Sequence, residues 1–365
     1  MEKVCDNVKL DIAIEIMSTK IAVAINKKDE LELKHLLEEK EELYLGNWNI
    51  INKILNEYSD EVNNFALNKK SRNVENAKLG YQITEEQYDE MYKKCRYITF
   101  FHCEMEEKPI AVFVGGQTGS GKGGIDVFSK QELLKENKNV AILDVDVYRA
   151  LYPYTNEIMK ECPTLYTEIT AKTTGKILKN LMAEAIENRY NFIFEGTLRN
   201  TEALETMKKM PKYYKKYVRI MATSDIESLL TAFERNYEQI KISGYGRFTN
   251  VETHNITYNG VLETLKAIEA SNENITIEIF KRGKDMTSPI RIYSSDFDNE
   301  VASKILMEQR TIDRNKFKIE RKKRFNNLIN TLQPKDEFEK MQIEKLIKEE
   351  TTYARVSKWT SNSTI

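Results

Sequence analysis

Residues 110–122 read IAVFVGGQTGSGK. Five apolar residues, Ile110 to Val114, run without a polar break into glycine. That is the pattern of a short strand buried on both faces. The next residues, Gly116-Gln117-Thr118-Gly119-Ser120-Gly121-Lys122, have the GxxxxGK spacing of a phosphate-binding loop, and residues 125–135 are able to form the helix that must follow it. Glycines let backbone N–H groups converge on a phosphate, while the helix N-terminus and Lys122 add positive charge. Gly116 to Lys122, with Gly123 and Gly124 behind them, are therefore the candidate nucleotide-binding residues. One position departs from the motif. The residue after the lysine ordinarily carries a hydroxyl that holds Mg²⁺, and here it is Gly123. Either carboxylates and water hold the metal, or the activity is weakened.

Working outward, four more apolar runs alternate with helical segments: VAILDVD (140–146), NFIFEG (191–196), YVRIMAT (217–223) and ITIEIF (275–280). Such alternation predicts an α/β fold, a parallel sheet covered by helices on both faces. Asp144 and Asp146 close the second run, and strand alternation would turn one of them toward the ligand edge of the sheet. In phosphoryl transfer a carboxylate there takes the proton of the attacking hydroxyl; the competing role is to cap the next helix. Glu195 ends the third run, followed by Thr197 and Arg199. It suits metal or water positioning, with Asp144 as the other metal candidate, or a simple pair with Arg199. Arg235, in a helical segment (226–240), and Arg247, in the loop SGYGRFTN (243–250), stand where a lid would bring arginines to a transferring phosphate.

The chain has 365 residues, 56 Lys plus Arg against 57 Asp plus Glu, and a formal charge of −1. That length suggests two or three domains of roughly 100–200 residues each. No apolar run reaches the roughly 18–20 residues of a membrane span, and the first residues do not read as a signal peptide. Four scattered cysteines without a CxxC pair imply reduced thiols and a cytoplasmic location, and three unpaired histidines make structural zinc a poor fit. Near-neutrality argues against a nucleic-acid partner. The charge is unevenly spread, however: residues 1–68 carry 14 acidic and 8 basic side chains, a net of −6, which leaves +5 on the rest.

That acidic head predicts three amphipathic helices in a small bundle. Leu10, Ala13, Met17, Ile21 and Ala24 form one stripe; Leu33, Leu36, Leu37 and Leu43 a second; Trp48, Ile51, Leu55, Tyr58, Val62 and Phe65 a third. Asp29 with Glu32 has the form of a capping box, and Gly46 sits where a left-handed cap belongs. Residues 69–80 read as a linker and 81–295 as the α/β domain, opened by a helical lead-in, TEEQYDEMYKK (84–94). Residues 296–365 are charge-rich and helical, with only a loose apolar face (Ile305, Met307, Ile312, Phe317, Ile319), which predicts a mostly solvated extension.

Together PIAVFVGGQTGSGK, the strand-end DVD, YNFIFEGTLR, TAFERNYE and GRFTNVETHN, in that order, resemble the zeta-toxin family, phosphate-loop kinases of bacterial toxin–antitoxin systems. The resemblance spans about residues 81–280. It implies ATP with Mg²⁺, and transfer to the 3′-hydroxyl of the amino sugar of UDP-N-acetylglucosamine. It implies Lys122 as phosphate lysine, Asp146 as general base, Arg235 and Arg247 on the triphosphate, and Glu195, Thr197 and Arg199 on the substrate side. Two departures touch the acceptor: Val145 lies between the aspartates, and Lys179 stands where relatives place a substrate-binding glutamate. The resemblance further implies a helical antitoxin that covers the nucleotide site, so the head resembles an antitoxin joined in cis. An oligomerisation bundle, another nucleotide-type acceptor, and a catalytically weak nucleotide-binding module remain as alternatives.

Overall fold

A computed structural model describes residues 6–61, 80–136, 139–243, 246–283, 288–316, 318–334 and 337–361. All five expected apolar runs are strands: β1 (Ile110–Gly115), β2 (Ala141–Asp144), β3 (Phe192–Glu195), β4 (Lys215–Met221) and β5 (Ile275–Lys281). A sixth, β6 (Ile290–Ser294), was not legible as a buried run, because it is an antiparallel edge strand whose first residues are exposed. The order is β2-β3-β1-β4-β5-β6, with β1 to β5 mutually parallel. β1 is buried along its whole length, as its unbroken apolar run requires. Register sets the site: Val114 and Asp144 both lie opposite Glu195, so the carboxyl ends of three strands meet at one edge.

Three helices precede the sheet: α1 (Asp6–Lys27), α2 (Glu30–Tyr44) and α3 (Trp48–Glu61). The stripe on α1 is fully inward, with Leu10, Ala13 and Ile21 at 0% exposure. Asp29 caps α2 by accepting the Glu32 N–H at 3.0 Å, and Gly46 ends it in the left-handed region (φ 72°). The Tyr58 side chain, Val62, Phe65 and nearly all of the expected linker lie outside the described residues, as does Cys5. Cys95, Cys103 and Cys162 form no disulfide among the described residues.

The lead-in is α4 (Glu85–Thr99), opened by a Thr84–Gln87 capping box. Then come α5 (Gly123–Lys135), α6 (Val145–Ala150), α7 (Thr155–Glu161), α8 (Tyr166–Glu187), α9 (Glu202–Lys209), α10 (Asp225–Ser243) and α11 (Val251–Glu269). The three-helix head does not stand apart. α1 packs on α5, α6 and α10, and its apolar side chains share one continuous core with the sheet.

The C-terminal helices, α12 (Ala302–Lys316), α13 (Lys318–Thr331) and α14 (Glu337–Ser361), correct the expectation of a solvated extension. Met307, Ile312 and Ile319 are indeed exposed, but Leu306, Leu328 and Leu346 are buried, the last two against Leu229, Leu230 and Phe233 of α10. Much of the inward face is polar (Arg310, Asp313, Arg321 and Gln342), which is why counting apolar residues missed it. Asp313, for example, accepts both the N–H and the hydroxyl of Ser224, at 2.8 and 2.9 Å. No helix among the described residues is long and apolar enough to cross a membrane.

Candidate active site

The loop between β1 and α5 is held from behind. Gly119 and Gly121 have φ of 74° and 90°, and a Cβ on Gly119 would stand 2.0 Å from the Ser228 carbonyl, so no other residue fits there. Gln117 is fully buried, and its amide donates to the Thr223 carbonyl and the Ser228 hydroxyl, both at 2.9 Å. Arg282 donates to the carbonyls of Gly119 and Ser120, the latter at 2.9 Å, and Thr223 Oγ1 donates to Ser120 O at 2.7 Å. With Gly116, Thr118, Lys122 and the first turn of α5 (Gly123, Gly124), every expected loop residue falls in this one cradle at the end of β1.

Carboxylates meet the lysine there. Lys122 Nζ is 3.0 Å from Glu195 Oε1, so Glu195 pairs with the loop lysine and not with Arg199. β2 stops at Asp144, and α6 begins at Val145. The expected alternation of Asp144 and Asp146 on one strand is therefore corrected: Asp144 caps α6, accepting the Asp146 N–H at 2.8 Å, and Asp146 lies in the first helical turn. Both still face the cavity. Burial, and next the charge of Glu195, push the Asp144 carboxyl up to about 7, against the pull of Arg247 and Lys122. Asp146 is gripped by Arg149 and Arg247.

Further contacts to this cluster come from α1. Asp11 Oδ2 accepts from Arg235 Nη1 at 2.9 Å. One turn later Glu15 lies 3.4 Å from Arg247 Nε and accepts from Gln239 of α10. Between them Ile14 joins Gly119 to Gly123, Asp144, Asp146, Glu195, Arg235 and Arg247 around a cavity of only about 30 Å³. That is about one water, against the several hundred Å³ of an ordinary small-molecule site. A second anchor lies beside it, where Lys130 of α5, 1% exposed, pairs with Glu41 of α2 beneath the Tyr44 ring.

Thr197 and Arg199 do not line this cavity; Thr197 is half-buried on the loop after β3, and Arg199 is exposed. Lys179 is exposed as well and lies 3.8 Å from Glu202. Sequence reasoning missed Asp11, Glu15, Asp126, Arg149 and Arg282. Asp11 and Glu15 carried a usable signal: two acids one helical turn apart, off the apolar stripe. Asp144 and Glu195, both at the cavity, are the carboxylates that could share a Mg²⁺ with phosphate oxygens and water.

Residues 96–297 match the family model described as Zeta toxin, more than half of the chain. The chain belongs to the zeta toxin family. Toxin PezT of Streptococcus pneumoniae is 27% identical over 206 residues, which is 55% of this chain and 78% of that protein. Toxin zeta of Streptococcus agalactiae is 28% identical over 237 residues, 62% of this chain and 77% of the other. A solved structure from the PezAT chromosomal toxin–antitoxin system of Streptococcus pneumoniae shares the fold, with a TM-score of 0.59 and 23% identity over 68% of this chain and 98% of that one. The zeta toxin match begins inside α4, so the three-helix head lies outside it.

Proposed function

We propose that this zeta toxin is an ATP- and Mg²⁺-dependent kinase of the 3′-hydroxyl of UDP-N-acetylglucosamine or a related UDP-sugar. We further propose that α1 holds it inactive in cis. The observation that carries the reading is the pairing of Asp11 and Glu15 with Arg235 and Arg247 over the phosphate loop. Two carboxylates on two arginines present the charge pattern of a phosphate chain, so the head and a nucleotide would compete for the same donors. Joined in one chain, the head acts at an effective concentration near the millimolar range.

In the open enzyme Lys122, the loop amides and the α5 N-terminus would bind the phosphates, and Arg235 and Arg247 would take up the charge spread over the transferred group. Released from Arg247, Asp146 would accept the proton of the sugar hydroxyl. Asp144 and Glu195 would hold Mg²⁺, which when bound neutralises phosphate charge. Thr197 and Arg199 would face the UDP-sugar. The absence of a glutamate at Lys179 favours testing other acceptors alongside.

The test uses the full chain with Asp11→Arg and Glu15→Arg, labelled ATP, Mg²⁺, and a panel of UDP-sugars, NAD and oligonucleotides. Label is expected on UDP-N-acetylglucosamine. Transfer only to another acceptor would replace the substrate, and tight ATP binding with no transfer at all would sink the kinase.

A further inference from the structure

Asp126 has no part in the reading above. It is 1% exposed, and its carboxyl oxygens meet no donor group among the described residues; they lie against the Glu195 carboxyl, with which only a shared proton could make a hydrogen bond. Leaving such a group buried and unmatched is costly. Its charged neighbours are Glu195, Lys122 and Asp144. Three carboxylates thus surround one lysine in a site built to receive a polyanion. Without a further cation the arrangement opposes its own ligand.

Asp126 also stands three residues after Gly123 in α5, so both lie on one face of the helix. A Cβ on Gly123 would meet one atom within 4 Å, Asp11 Oδ1 of the head at 3.3 Å. With the head away, the 4 Å around a side chain at position 123 is therefore clear of kinase side chains. Asp126 itself does not line the cavity, but Gly123 of its own helix and its charged neighbours Lys122, Asp144 and Glu195 do. Among the described residues no group of three or more His, Cys, Asp or Glu is arranged to hold an ion by itself. Mg²⁺ bound with a nucleotide does not need one: one or two carboxylates suffice, with phosphate oxygens and water completing the shell.

We propose that Asp126 is a carboxylate of the metal–nucleotide site, doing from position 126 what the hydroxyl after the loop lysine does in the usual motif, through the room that Gly123 leaves. The inference rests on the kinase reading, since it presumes that a nucleotide enters. It turns the missing hydroxyl from a defect into half of an exchange, with glycine at 123 and the acid one helical turn on.

The experiment measures binding of a fluorescent ATP analogue to the full-length Asp11→Arg/Glu15→Arg chain, in Mg²⁺ and in EDTA, with Mn²⁺ titrations followed by electron paramagnetic resonance. Mg²⁺ is expected to tighten binding roughly tenfold or more. Asp126→Asn, of the same shape, should abolish most of that gain and weaken Mn²⁺ binding, with affinity in EDTA unchanged or improved. Adding Gly123→Ser to Asp126→Asn should return the metal dependence. A full Mg²⁺ gain in Asp126→Asn overturns the proposal and leaves the kinase standing. No nucleotide binding in either condition overturns both.

Discussion

Asp11 and Arg235 are 224 residues apart in the chain and 2.9 Å apart at their side chains. Arg235 is 3% exposed, and its Nε and Nη2 have no partner among the described residues. A buried guanidinium met by a single carboxylate depends heavily on it, and reversing that charge leaves two cations facing each other. Asp11→Arg with Glu15→Arg is expected to cost the closed state about 2 kcal/mol or more, roughly a thirtyfold shift toward open. The readout is affinity for a fluorescent ATP analogue together with bacterial growth on expression: tighter binding and arrested growth are expected. Unchanged affinity and growth would reject α1 as the inhibitor.

In that opened chain Lys122 and Asp146 should separate binding from chemistry. Lys122 faces the cavity among the loop residues, so Lys122→Ala is expected to weaken nucleotide binding and relieve growth arrest. On the proposed reading Asp146, once free of Arg247, would act only on the acceptor proton. Asp146→Ala should keep nucleotide affinity while lowering turnover roughly 10²- to 10⁴-fold. Isothermal titration beside initial rates distinguishes the two, and a loss of nucleotide binding in Asp146→Ala would deny it the role of base.

The sheet was readable because buried parallel strands are written as unbroken apolar runs, and IAVFVGGQTGSGK marks both the central strand and its loop. What the sequence concealed is polar and long-range. Arg282 lies in sequence as an unremarkable basic residue after β5, yet it grips the carbonyls of Gly119 and Ser120. Asp146 looked like a strand residue because VAILDVD alternates, whereas the capping preference of Asp144 starts the helix two residues earlier. Arg310 of α12 reaches Gln117 at 3.5 Å, a contact that no local periodicity encodes. Thr197 and Arg199 follow Glu195 closely in sequence but leave the cavity as the chain turns away, with the backbone of Arg199 tucked against Gly260.

His254 gives a pH signature. Burial pushes its imidazole down from 6.5 to about 4, and its Nε2 lies 2.9 Å from the Ser228 hydroxyl that braces Gln117. The unfolded chain takes up this proton first as pH falls, so the contribution of His254 is complete above about 6.5 and is lost progressively down to about 4. The difference is on the order of 3 kcal/mol. Asp144 acts with the opposite sign: raised to about 7, it favours the folded state at low pH and loses that contribution as pH rises through 7. The His254 effect is therefore read as a difference between chains. Thermal melts at pH 7 and pH 4.5 should show a smaller acid loss in His254→Gln than in the wild type. Parallel losses would place the titration elsewhere.

Arg282 tests whether the C-terminal helices reach the nucleotide site. Its guanidinium holds the Gly119 and Ser120 carbonyls and lies 3.3 Å from Glu227, which is 3% exposed and also accepts from Arg324 of α13. The planar fork lets one residue serve two carbonyls and a carboxylate together; an ammonium has the charge without that geometry. Arg282→Lys is therefore expected to loosen the loop without unfolding the domain. In the opened chain nucleotide affinity should fall roughly tenfold, for the loss of about 1–2 kcal/mol of hydrogen bonding. Arg324→Met should give the same change in smaller measure, because it acts on Arg282 indirectly, through Glu227 and Thr231. Calorimetric binding beside thermal melts decides the matter. Lowered melting temperatures with nucleotide affinity intact would make both arginines struts of α10, and the link from α13 to the phosphate loop would fail.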